Sequence, residues 1–142
     1  MSNRKLVPVL AVLAAVAVAS VPATSFADAP TSAACPLRKH HITSVKPYRV
    51  TKRLGRTVVK RLRGAEVFVQ AEPGLTAEWL ELTLARHIVE MRGPVTMAGC
   101  PFDVDGVAVQ VDAGGTGFRV RITARNTDQA EEVLRRAQSL LS

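Results

Sequence analysis

The chain has 142 residues, room for one domain, and no internal repeat. Its formal net charge is +7 at pH 7, and its two cysteines leave a single intramolecular pairing. No nucleophile, phosphate-cradling glycine loop or acid/base pair stands in a recognised catalytic setting, so composition and motifs point away from an enzyme and imply no cofactor.

Residues 1–27 have the three-part layout of a secretory signal peptide. Arg4 and Lys5 precede an apolar run from Leu6 to Val21, and Ser25-Phe26-Ala27 forms a small-x-small exit with cleavage before Asp28. The apolar run is about 16 residues long and contains Pro8 and Ser20, short of the roughly 20 that span a bilayer. The expectation is a secreted or periplasmic chain with no transmembrane segment once the signal is removed. Cys35 lies too far beyond the run to be a lipid-attachment site.

Residues 28–63 form a basic N-terminal arm. The arm carries Arg38, Lys39, Lys46, Arg49, Lys52, Arg53, Arg56, Lys60, Arg61 and Arg63 against one acid, Asp28. Such a field attracts polyanions, which for an exported chain means anionic lipid headgroups and cell-envelope polymers. Tyr48 is the sole aromatic of the arm, which argues against a base-stacking nucleic-acid surface. Tyr48, Val50 and Leu54 predict a strand near 45–53, Gly55-Arg56 a turn, and Thr57 to Leu62 a second strand. An extended stretch lying on the surface is the alternative.

Residues 64–142 carry seven basic and eleven acidic residues, a mildly acidic body behind a basic arm. Ala65, Val67, Val69 and Ala71 alternate with polar or aromatic neighbours and predict a strand, broken by Pro73-Gly74. Thr76 is placed as an N-cap, with Leu75 and Leu80 as a hydrophobic staple. Leu80, Leu84, Ile88 and Met91 then form one stripe of an amphipathic helix that ends at Gly93-Pro94. Gly93 to Gly106 is an irregular connection containing Cys100-Pro101. Val107, Val109 and Val111, then Phe118, Val120 and Ile122, flank Gly114 to Gly117 as a β-hairpin. Asn126 caps a last helix, with Gln129 as capping-box partner and Ala130, Val133, Leu134, Ala137 and Leu141 as its apolar face.

The order from residue 64 is β-α-β-β-α. It predicts an α+β fold, a small antiparallel sheet with two helices on one face. This is the split βαβ, ferredoxin-like plan without its usual last strand, and a strand from the arm is available to complete the sheet.

Gly74-Leu75-Thr76-Ala77-Glu78-Trp79-Leu80 with His87, and Glu131 to Ala137, resemble a group of uncharacterised exported bacterial proteins, in which the first pattern leads to a histidine and then a Cys-Pro, as His87 and Cys100-Pro101 stand here. That resemblance covers roughly residues 64–141 and implies an exported domain with no known activity. Phe118 to Leu141 is similar to the end of the sporulation-related repeat domain, which implies peptidoglycan binding, though that domain closes with a strand this chain lacks.

Cys35 and Cys100 are expected to form a disulfide, since export supplies an oxidising compartment. The alternative is a copper or zinc site built from Cys35, Cys100, His40, His41 and His87, for which soft sulfur and imidazole are suitable donors. His87, on the border of its helix's apolar stripe, is otherwise a buried, hydrogen-bonded histidine. Trp79 falls away from the main stripe and is expected to pack in the core or under a loop, with a surface position as a ligand-stacking platform the alternative; Asp103 and Asp105 are expected to be solvated turn residues. The functional expectation is a non-enzymatic exported domain binding anionic envelope components through its arm. Metal handling, and peptidoglycan or protein interaction, are the alternatives.

Overall fold

A computed structural model describes residues 34–142, so the signal-peptide assignment to residues 1–27 lies outside the described residues. Four strands and two helices are present: β1 (Ile42–Leu54), β2 (Thr57–Gln70), α1 (Ala77–Glu90), β3 (Ala108–Gly114), β4 (Gly117–Thr123) and α2 (Thr127–Gln138). A 3₁₀ turn at Pro36–Lys39 precedes them and another at Ser139–Leu141 follows. The α+β class holds, with a wholly antiparallel four-stranded sheet in the order β1-β2-β4-β3.

The strand missing from the end of the split βαβ plan is supplied from the front. β1 pairs with the outer side of β2, the place a closing strand would take. Both arm strands are therefore real, and β2 runs unbroken from Thr57 to Gln70, so the position between arm and body at 63/64 falls inside one strand.

Alternation decides the core. Ala65, Val67 and Val69 of β2, Val111 of β3, and Phe118, Val120 and Ile122 of β4 are buried together with Leu80, Leu84 and Ile88 of α1 and Ala130, Val133 and Ala137 of α2. The other face of the sheet is polar and partly closed by rings under cations. Lys46 and Arg119 lie 5.2 and 5.7 Å from the Phe68 centroid, and Arg121 lies 4.9 Å from that of Tyr48. Arg121 also pairs with Glu66 and Asp112 across neighbouring strands.

The helix starts follow the sequence. Thr76 accepts from the Trp79 amide at 3.2 Å and Asn126 from the Gln129 amide at 2.9 Å. The reciprocal half of the capping box is not made, and Gln129 Oε1 is buried without a partner. Trp79 does not pack under a loop but is 53% exposed, because it falls on the outer side of α1.

Candidate functional site

Two features of the structure carry chemistry: a basic ribbon and a thiol pair.

The ribbon arises from unequal strand lengths. β2 pairs with β4 only over Gly64 to Gln70, whereas its pairing with β1 continues to Leu54↔Thr57. Residues 49–62 are therefore bonded only to each other, and at about 3.3 Å per residue they reach roughly 20 Å beyond the sheet. The bend point is at Gly64, where the β1–β2 register shifts between Tyr48 and Arg49 and Arg63 is the extra residue. Gly64 has φ +148°, and a Cβ there would collide with the Ile122 carbonyl. The Arg63 carbonyl accepts from the Ala124 amide at 2.8 Å, which fixes the ribbon's root to the end of β4.

Arg49, Lys52, Arg53, Arg56, Lys60 and Arg61 stand on the ribbon, with no acidic residue among them. All six are exposed, and none is in an ion pair with a described residue; those pairs lie elsewhere, on Glu66, Glu72, Glu90, Asp103, Asp112 and Glu132. Register keeps the cations apart. Arg49 faces Leu62, Lys52 faces Val59, Arg53 faces Val58, Thr51 faces Lys60 and Val50 faces Arg61. Like charges directly opposite would destabilise a two-stranded ribbon, and here none occurs. Val50, Leu54 and Val58 are exposed among the cations. Of the other arm cations, Lys46 lies over Phe68, Arg63 donates to the Arg125 carbonyl, and Arg38 and Lys39 sit in the first 3₁₀ turn.

The thiol pair sits where the first 3₁₀ turn, the end of α1 and the 91–107 connection meet. Cys35 and Cys100 are 2% and 1% exposed, with their sulfurs 3.1 Å apart. They stand as free thiols in contact, beyond the S–S bond length of about 2.05 Å, so the expected disulfide is not present as a bond. His87 is 3% exposed, and its Nε2 lies 3.5 Å from Cys100 Sγ. Phe102 meets the imidazole edge-on at 6.0 Å, and Nδ1 lies 3.8 Å from Glu90 Oε2.

The connection is tied down by side chains rather than by regular structure. Asp103 accepts from the Met97 amide at 2.8 Å, and Arg136 of α2 donates to the Cys100 and Asp103 carbonyls at 3.1 and 2.6 Å. Asp103 is thus a loop-closing acceptor and an ion-pair partner of Arg136, not a solvated turn residue. Cys100 is held below the ordinary thiol range, at about 6, chiefly by its hydrogen bond with Cys35. The Phe102 backbone and His87 add to that effect against the opposing pull of burial. The same contact, with burial, pushes Cys35 up.

The three histidines expected as metal ligands are divided. His87 faces Cys100, whereas His40 Nδ1 bonds Glu72 Oε2 at 3.2 Å and the His41 backbone N–H reaches the same carboxylate at 3.4 Å. Glu72 is lowered from the ordinary carboxylate value, first by the His40 hydrogen bond. Among the described residues, no group of three or more His, Cys, Asp or Glu side chains is placed to hold a metal ion. The approach of His87 to Cys100 was written in the sequence only as proximity of residue types, since 13 residues and an irregular connection separate them.

Comparison of the chain with protein-family models, with curated proteins and with solved structures finds no match.

Proposed function

We propose that this chain is an exported, non-catalytic α+β domain that settles on anionic lipid surfaces through the β1–β2 ribbon. The observation that carries this reading is the ribbon itself: six exposed cations, no acid, and projection clear of the sheet. Cations at such a surface contribute about 1 kcal/mol each. Val50 and Leu54, on one ribbon face with Lys52 and Arg61, favour a lipid surface over a soluble polyanion, because exposed aliphatic groups gain from the headgroup–acyl boundary and gain nothing from a hydrated polymer. No helix among the described residues is long and apolar enough to cross a membrane, so attachment by the ribbon would be peripheral. The signal layout and the resemblance to exported proteins support the compartment. In an oxidising compartment the 3.1 Å contact between Cys35 and Cys100 would close to a disulfide with a small sulfur movement.

Residues 28–142 should co-sediment with phosphatidylglycerol-containing vesicles and not with neutral phosphatidylcholine ones. The bound fraction should fall as salt rises from 50 to 500 mM, since exposed charges are screened within about 10 Å at 0.1 M. Soluble polyphosphate should compete weakly. Equal binding to neutral vesicles, or tight binding to polyphosphate with none to anionic vesicles, would overturn the lipid assignment.

A further inference from the structure

The thiol pair has more than the geometry of a staple. Its surroundings hold together without a bond: Asp103 and Arg136 fix the Cys100 loop, and Leu37, fully buried, anchors the turn that follows Cys35. A depression of about 280 Å³ opens beside the pair, lined by Ala34, Cys35, Arg38 and residues 97–100, with no acidic residue in it. The two sulfurs also stand in unlike settings. Cys100 has His87 at 3.5 Å and Cys35 does not share that contact.

We infer that Cys35 and Cys100 form a reversible redox pair that exchanges with small anionic disulfides, with Cys100 the attacking sulfur, Cys35 the resolving sulfur and His87 the positioning group on Cys100. The inference rests on the reading that this pair closes to a disulfide. Both cysteines are almost fully buried, so a disulfide reaches them only when the segments lining the depression move apart; the depression limits the partner to a small one, and Arg38 in its lining favours negative charge. The Cys100 thiolate attacks one sulfur of RS–SR; that S–S bond breaks, and RS⁻ leaves and takes up the proton that Cys100 had released. Cys35 then attacks the Cys100 sulfur of the mixed disulfide. The second RS⁻ leaves with the Cys35 proton. Two thiols are oxidised to one disulfide, and RSSR is reduced to two RSH. Cys100 is suited to the first step because His87 Nε2 stands 3.5 Å from its sulfur, and the Cys35 contact and His87 both act to lower its pKa. Cys35, held as a neutral thiol by the same contact, is released from that role once Cys100 is no longer a thiolate.

The test uses reduced residues 28–142 mixed with oxidised glutathione or with the cationic disulfide cystamine, quenched by alkylation and read by mass spectrometry. The pair should close, and Cys35→Ser should stop at a mixed disulfide on Cys100. The rate should rise through about pH 6 and level off. His87→Ala should move that inflection upward while changing the rate at pH 6.5 by less than about twofold, because the gain in nucleophilicity offsets most of the lost ionisation. If His87→Ala does not fold, His87→Gln gives the same readout. Arg38→Gln should slow oxidised glutathione severalfold and leave cystamine unchanged. Closure with an unchanged pH profile in the His87 variants, a mixed disulfide on Cys35, or a bond that a glutathione buffer cannot reopen would overturn the redox pair while leaving a structural disulfide. Failure to close under any oxidant would overturn both.

Discussion

Glu132 shows how one partly exposed side chain acquires a measurable signature. It accepts two hydrogen bonds from Arg135, at 2.6 and 2.8 Å, and a third from Arg136 at 2.5 Å. Arg135 first, then Arg136, lowers its carboxyl to about 2. The folded value lies below the unfolded one, so the contribution to stability is complete above about pH 4.3 and lost as pH falls through about 2. An NMR titration of the Glu132 carboxyl should give a midpoint near 2, and Arg135→Gln should raise it; a midpoint above about 4 in the native chain would show the fork is not held in solution. The pairing of Glu132 with Arg136 was readable from i,i+4 spacing. The bond of Arg135 to Glu132, three residues away, and the reach of Arg136 to the Cys100 carbonyl were not, because the second depends on where α2 docks. Asp103 was misjudged for the same reason: its partner amide, Met97, belongs to a loop whose course no periodicity fixes.

At the scale of elements, β2 is the most instructive. Its alternation from Ala65 to Val69 is plain in the sequence, and so are the β3–β4 hairpin and both helix caps, because each is set by neighbours within a few residues. The outer half of β2 was harder to see, since residues 57–63 have little apolar contrast and pair with a strand equally poor in it. What joins the halves is Gly64. Its positive φ and its approach to the Ile122 carbonyl admit no side chain at the point where β4 stops pairing and the ribbon begins. Gly64→Ala should cost on the order of 3 kcal/mol, from backbone strain plus displacement of β4. Chemical denaturation of the two forms checks this, with Gly55→Ala at the ribbon's turn as a comparison: it too has positive φ, +60°, but open space around it, so its loss should be smaller. Equal losses at the two positions would show that the contact with Ile122 is not the cause.

In the whole molecule, the charge split read from the sequence becomes a division of labour in space. The acidic half of the chain supplies most of the sandwich, and the basic stretch contributes β1, the lower half of β2 and the projecting ribbon. Placing β1 beside β2 fills the position that the β-α-β-β-α order leaves vacant, so the fold is complete without a strand after α2. Composition indicated that the arm was basic, but not that its cations would be held on a two-stranded element with aliphatic side chains between them. That arrangement depends on the β1–β2 register. The most direct measurement is therefore of the ribbon's charge. Lys52, Arg53, Arg56, Lys60 and Arg61 replaced together by Gln should leave the melting temperature within a few degrees, because all five are exposed and unpaired. Affinity for phosphatidylglycerol-containing vesicles at 0.1 M salt should fall on the order of a thousand-fold or more, since five cations at roughly 1 kcal/mol each are lost. A folded variant that binds those vesicles as tightly as the native chain would contradict the assignment of the ribbon as the surface-binding element.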